Sequence, residues 1–276
     1  MNDLLLTLGL STEAKKARLA SIGGSDANTI MGGHADRILR LWREKRGEAE
    51  PEDLSDNLAV QMGSFTEPLN RAWYEKQTGA VVTLAGEVCR SDDNGFPMGC
   101  TLDGIGVDVL CGDRWVFEAK HCGTRSTDAE IFARYVPQLT HNCIVAGFDR
   151  AVLSVLKGNG DWCMFEYAMD GDYAAALIER EEAFWRCVQS AEPPVPLPPV
   201  PGPKPVGVRE YDLTGSNEWA AHAADYLETM LAADRHEIAK KSLKSLVPDD
   251  ASRCFGHGVA INRTKAGALR FANMEA

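Results

Sequence analysis

Residues 191–206 read AEPPVPLPPVPGPKPV, and no helix or interior strand can run through them. Each proline lacks a backbone N–H and holds φ near −65°, so the segment is extended and semi-rigid. It sets the domain boundaries: a domain over 1–190, a linker over 191–206 and an appendage over 207–276. A ligand for a proline-binding partner has the same composition, but spacer is the reading carried forward.

On the N-terminal side the apolar spacing is helical. In SIGGSDANTIMGG, Ser25 is placed to cap a short helix that ends at Gly32. ADRILRLWREKRG sets Ile38, Leu41, Trp42 and Lys45 at helical intervals. The period continues through Leu58, Met62, Phe65, Leu69, Ala72 and Trp73 and stops at Gly79, while Pro68 starts a new segment or kinks the run. Three helices therefore precede any strand. Strands follow in AVVTLAG, MGCTLDGIGVDVL and RWVFEAKH, the last two joined by a turn at CGD. A helix from Tyr135 to Ala146, with Pro137 in its first turn, leads into a hairpin of RAVLSVL and WCMFEYAM and then the helix AALIEREEAFWRCVQ. The expected class is α/β (α+β): a central mixed sheet flanked by helices. Beyond the prolines, a long helical pattern through Trp219, Tyr226, Met230 and Ile238 precedes a hairpin from GHGVAINRT to GALRF, a small C-terminal α/β appendage.

Composition narrows the function classes. The eight cysteines stand singly, with no CxxC pair, which disfavours zinc and iron–sulfur sites and leaves reduced, mostly buried thiols. The start, MNDLLLTLGLSTEAKK, has too short an apolar run for a secretory signal, and no stretch is long enough to cross a bilayer, so the expectation is a cytoplasmic protein. A net charge of −11 argues against nucleic-acid binding over the whole surface and leaves room for a local groove.

The segment WVFEAKHC carries the chemistry. In an extended chain Trp115, Phe117 and Ala119 share one face, while Val116, Glu118 and Lys120 share the other. On its own, a same-face ion pair on a half-exposed strand accounts for Glu118 and Lys120. If CGD turns the chain back, however, Asp103 of TLDGIG arrives beside them. Two carboxylates can hold Mg²⁺ through oxygen, and a lysine can orient or help deprotonate a water, which suits phosphodiester hydrolysis. Asp108 competes, but its odd offset from Asp103 puts it on the opposite face unless Gly104 and Gly106 permit a bulge. His121 alternates onto the Trp115 face and reads as packed, and His141 lies one turn from Gln138.

With Asp103 as first carboxylate and EAK as the second carboxylate, spacer and lysine, the sequence resembles the PD-(D/E)xK nuclease superfamily, with its restriction-endonuclease-like core. More specifically it is similar to the YqaJ-type viral recombinase family, related to the phage lambda exonuclease. The ordered blocks RLASIGGSDANTIMG, MGSFTEPLNRAWYEKQTG, CTLDG, FEAK and YVPQLTHNCIVAGFDRAVLSVL carry this resemblance. It implies that Asp103, Glu118 and the backbone carbonyl of Ala119 are metal ligands and Lys120 the catalytic lysine. Glu67 would support the metal directly or through water, and Gln138 would border the active site. Arg18, Ser25 and Thr101 fall where the family holds a 5′-phosphate, and guanidinium suits that group. Leu102 stands where the superfamily's name has proline, and the Asp103–Glu118 loop is longer than in the lambda enzyme.

The implied function is a Mg²⁺-dependent (or Mn²⁺-dependent) 5′ to 3′ exonuclease. It would degrade linear double-stranded DNA to 3′ single strands for phage-type recombination by strand annealing. A restriction-type or structure-specific endonuclease and an inactive DNA-binding module are the alternatives. The resemblance further implies DNA with 5′ ends as substrate, a single-strand annealing protein as partner, a homo-oligomeric ring trimer, no membrane, and phage or prophage origin in a bacterial host. The locally basic end, with Lys240, Lys241, Lys244, Arg253, Arg263, Lys265 and Arg270, is a candidate surface for DNA or the annealing partner.

Overall fold

The computed structural model describes residues 18–52, 54, 56–158, 160–207 and 213–273. Its described residues fall into two units, one ending at 207 and the other beginning at 213.

The first described residues, Arg18 and Leu19, are helical, and a two-residue strand, β1 (Ile22–Gly23), follows them, so a strand precedes the three expected helices, contrary to the sequence expectation. Helix α1 (Gly24–Met31) is capped by Gly23 and not by Ser25, because the Asp26 carboxylate reaches back to accept the Gly23 N–H at 2.8 Å. Ser25 is left in the exposed first turn with its hydroxyl free of capping duty. After α2 (Ala35–Lys45) comes α3 (Leu58–Thr78), which starts where the Asn57 side chain accepts the N–H groups of Ala59 and Val60. Helix α3 ends at Gly79, whose φ of 76° only glycine adopts without cost. It runs on through Pro68 as a single helix, because one missing N–H at Pro68 is outweighed by the burial of Thr66, Asn70 and Tyr74 on its inner face.

Five strands form the main sheet, in the order β2 (Val81–Thr83), β5 (Gly104–Val107), β6 (Arg114–Cys122), β7 (Arg150–Lys157), β8 (Asp161–Ala168). Strand β6 runs parallel to β7 and antiparallel to β5, which makes the sheet mixed. The parallel pair is joined by α4 (Asp128–Ala146). This helix begins at Asp128 and not at Tyr135, because Thr127 and Glu130 exchange hydrogen bonds as a capping box. Pro137 consequently sits mid-helix. A smaller sheet, in the order β1-β4-β3, uses β3 (Val88–Ser91) and β4 (Met98–Thr101). The segment expected to form one strand therefore breaks at Leu102 and Asp103, with β4 in one sheet and β5 in the other.

Two apolar layers cover the main sheet. Trp115, Phe117, Ala119 and Val152 pack against Tyr74 of α3, while Val116, Leu153 and Val155 join the larger core with Phe132, Val136 and Leu139 of α4. Helices α1, α2 and α5 (Gly171–Ser190) extend that second layer. Of the eight free cysteines, Cys100, Cys122 and Cys143 are buried and Cys111 is exposed, so burial is less general than the sequence suggested.

The proline-rich segment does not stand free between units but lies along the first. Val200 packs on the core, the Val206 N–H donates to the Glu166 carbonyl at 2.9 Å, and Gly202 sits so close that a Cβ would come within 2.9 Å of Val136.

In the second unit, α6 (Asn217–Ser245) is N-capped by Ser216. It is followed by an antiparallel sheet of β9 (Arg253–Gly256), β10 (Val259–Arg263) and β11 (Leu269–Asn273). Strand β9 adds a third strand to the expected hairpin. No described helix is long and apolar enough to cross a membrane.

Candidate active site

The break between β4 and β5 positions the acidic cluster. Ladder pairing between β5 and β6 stops at Gly104 and Phe117, so the β6 edge beyond Phe117 has no β5 partner. Asp103, the residue just before β5, fills part of the gap: its Oδ2 accepts the Ala119 N–H at 2.8 Å. That bond sets the Asp103 carboxylate against β6 between Glu118 and Lys120.

Glu118 is buried under α4 with 1% exposure. Its Oε1 accepts from the Lys120 ammonium and from Gln138 Nε2 at 2.6 Å, and its Oε2 accepts from Asn142 Nδ2 at 3.0 Å. Burial and then the nearby Asp103 charge push its carboxyl up to about 7, against the opposing pull of Lys120. Burial works against the Lys120 ammonium, and the carboxylates of Glu118 and Asp103 more than offset it, so the amine stays protonated above its usual range. On α3, Glu67 pairs with Arg71 at 3.1 Å, and burial followed by Asp103 raises its carboxyl.

Asp103 together with Glu118 and Glu67, whose carboxyls it helps to raise, forms an oxygen-rich, electronegative cleft, the environment a hard divalent cation neutralises. Among the described residues no three acidic, imidazole or thiol groups close into a metal cage. Glu118 retains a lone pair on Oε2, and Asp103 Oδ1 takes no hydrogen bond among the described residues.

Beside this cleft an open cavity of about 410 Å³ is lined by Arg18, Ser25, Thr101, Gln138 and Asn142. Arg18 donates to Ser25 Oγ at 3.2 Å, and the first turn of α1 faces the same space. The three residues assigned to phosphate from sequence thus share one pocket, and Gln138 joins it to Glu118.

Asp108 is elsewhere: its Oδ1 accepts the N–H groups of Leu110 and Cys111 and caps the β5–β6 turn. His121 is engaged by Thr66 Oγ1 at 3.1 Å and the Gly158 carbonyl at 2.7 Å, and His141 is fully buried against Glu181. Two residues of the site were missed. Asn142 lies one turn beyond Gln138, so the i, i+4 rule puts both on the helix face that meets Glu118. Asn70, buried in α3, donates to the carbonyls of Lys120 and Ser154 and accepts from Ser154 Oγ, fixing the strand that carries the lysine; nothing local in the sequence signals it.

A mixed sheet between helices, with two carboxylates and a lysine where one strand leaves its edge, defines a restriction-endonuclease-like core of the PD-(D/E)xK type. Residues 14–149 match the family described as the YqaJ-like viral recombinase domain. Among solved structures, the chain is similar to an alkaline exonuclease, LHK-Exo, from Laribacter hongkongensis, at 18% identity and a TM-score of 0.53, covering 66% of this chain and 94% of that one. LHK-Exo in complex with dAMP matches at 22% identity and a TM-score of 0.51, over 66% of this chain and 94% of that chain. No curated protein sequence matches.

Proposed function

We propose that the protein is a divalent-metal-dependent deoxyribonuclease that digests linear duplex DNA from 5′ ends, leaving 3′ single strands for recombination by strand annealing. The observation that carries this reading is the Asp103–Ala119 hydrogen bond, which gathers Asp103, Glu118 and Lys120 at one unpaired sheet edge beside the Arg18 pocket. A protein of similar fold, LHK-Exo, has been solved in complex with dAMP, a mononucleotide, which is in keeping with a nucleic-acid substrate for this chain.

Asp103, Glu118 and the Ala119 carbonyl would hold Mg²⁺, with Glu67 behind them. When bound, Mg²⁺ supplies Lewis acidity to the scissile phosphate and lowers the pKa of an attacking water. The protein's own groups do the rest. Gln138 and Asn142 fix both oxygens of Glu118, so its orientation does not depend on substrate. The Lys120 ammonium, held protonated by its carboxylate neighbours, places positive charge and a hydrogen-bond donor beside the phosphate oxygens as charge develops on them. Arg18 and Ser25, with the N–H groups of the first turn of α1, would take the terminal 5′-phosphate.

Incubation with Mg²⁺ of linear duplexes and covalently closed circles tests the proposal. The expected result is mononucleotide release from linear duplexes, faster from 5′-phosphate than 5′-hydroxyl ends, and intact circles. Cutting of closed circles would move the assignment to the endonuclease alternative. Binding without cleavage at any divalent cation would move it to an inactive module.

A further inference from the structure

Behind the Arg18 pocket lie four ionisable side chains that the chemistry at Glu118 does not use. Asp26 and Lys45 are 5% and 9% exposed, and His141 and Glu181 are fully buried. Each pair terminates on backbone that walls the pocket. Lys45, the last residue of α2, donates to Asp26 Oδ2 at 2.5 Å, to the Arg18 carbonyl at 2.5 Å and to the Ser21 carbonyl at 2.6 Å. All three ammonium protons are thereby committed. Asp26 in turn accepts the Gly23 N–H, the residue that caps α1. His141 bonds Glu181 at 2.9 Å through Nδ1 and meets the Gly99 carbonyl at 3.2 Å through Nε2.

The segments fixed in this way are the Arg18–Ser21 segment, the first turn of α1 and strand β4, and all three line the cavity. A buried ion pair is a poor device for stability alone, since well-packed apolar side chains of similar volume do as well or better. Its distinguishing property is geometric: one ammonium holds two carbonyls and a carboxylate from separate segments in a single arrangement. Without Lys45, the carbonyls of Arg18 and Ser21 would lose that common partner, and the guanidinium that bonds Ser25 would lose its fixed origin.

We propose that Lys45, through Asp26, is a positioning residue for end recognition: it sets the Arg18 guanidinium and the first turn of α1 in register to receive a terminal 5′-phosphate. This rests on the exonuclease reading above and adds to it the device that makes the pocket discriminate.

The test uses the full chain as wild type, Lys45→Met, and the double variant Asp26→Leu/Lys45→Met, which fills the space without leaving a lone buried carboxylate. Initial rates with Mg²⁺ are measured on linear duplexes of one length bearing 5′-phosphate or 5′-hydroxyl ends, alongside thermal melting of each protein. The expected result is a rise of about tenfold or more in KM for 5′-phosphate ends, with kcat within about threefold, and collapse of the preference over 5′-hydroxyl ends in both variants. A folded variant that keeps the wild-type preference overturns the proposal. So does a loss of kcat with KM and preference intact, the pattern of a purely structural role. A wild-type enzyme indifferent to the 5′-phosphate overturns the pocket assignment and this inference together, whereas a wild type that discriminates while the folded variants also do overturns this inference alone.

Discussion

Glu118 is a carboxylate held away from water by α4, with an ammonium on one oxygen and amides on both. Its carboxyl titrates near 7 in the folded protein and near 4.5 when unfolded. Between those values the folded state binds the extra proton, so stability is greatest below the unfolded value and falls as pH rises through the folded one, by up to about 3 kcal/mol. Thermal melts of metal-free protein from pH 5 to 8 should show this decline, and Glu118→Gln should flatten it. Because a cation competes with that proton, Mg²⁺ affinity measured by calorimetry should rise about tenfold from pH 6 to pH 8. A pH-independent affinity would mean that Glu118 is not a ligand. At this scale the sequence was readable where alternation decided the matter: Val116 and Glu118 share the face under α4, and Trp115 and Phe117 share the other. It placed Lys45 on the helix face of Ile38, Leu41 and Trp42, which the structure buries, but was silent on its partners and on Asp26 and Glu181, which only tertiary packing brings together. Glu181 is one glutamate among several in a polar helix, and nothing local distinguishes it.

At the level of elements, the site depends on how closely α1 approaches α4. Gly24 sits where a Cβ would come within 2.4 Å of Asn142 Oδ1 and 3.1 Å of Gln138 Cγ, the two side chains that hold Glu118. Gly24→Ala, which in an open helix would gain up to about 1 kcal/mol, should here lower turnover about tenfold or more and lower the melting temperature. Asn70→Ala should cost about 2–3 kcal/mol in denaturant unfolding, because it strips the carbonyls of Lys120 and Ser154 of a buried donor. Element types were legible because the apolar periods were long. Boundaries failed where side chains captured backbone N–H groups: Asp26 displaced the expected Ser25 cap, and the Thr127–Glu130 exchange moved the start of α4 well before Pro137. The split of one expected strand between two sheets was not legible, since alternation alone cannot say which partner a strand pairs with.

For the whole molecule, the proline-rich segment belongs to the first unit and covers part of it. Its prolines foretold an extended chain, but not its seat on Val136 and Tyr173, which needs the fold to exist first. A chain ended after residue 207 keeps that cover and should melt like the first unit of the full protein. A chain ended after residue 190 exposes the apolar surface beneath it and should melt several degrees lower. Equal melting of the two truncated chains would restore the segment to a plain spacer. We further propose that the basic end of the second unit contacts DNA or an annealing protein, and that subunits assemble into a ring. Sedimentation and pull-down of the 207 truncation beside the full chain test both ideas, with loss of assembly or partner as the expected result and unchanged behaviour as the contrary one.

The central claim is that residues 103, 118 and 120 surround a divalent cation, and Mn²⁺ binding followed by electron paramagnetic resonance tests it most directly. The account predicts Mn²⁺ binding to the wild type at the acidic cleft, displaced by Mg²⁺, lost in folded Asp103→Asn and Glu118→Gln proteins, and retained in Lys120→Met. Undiminished binding in both carboxylate variants would contradict it.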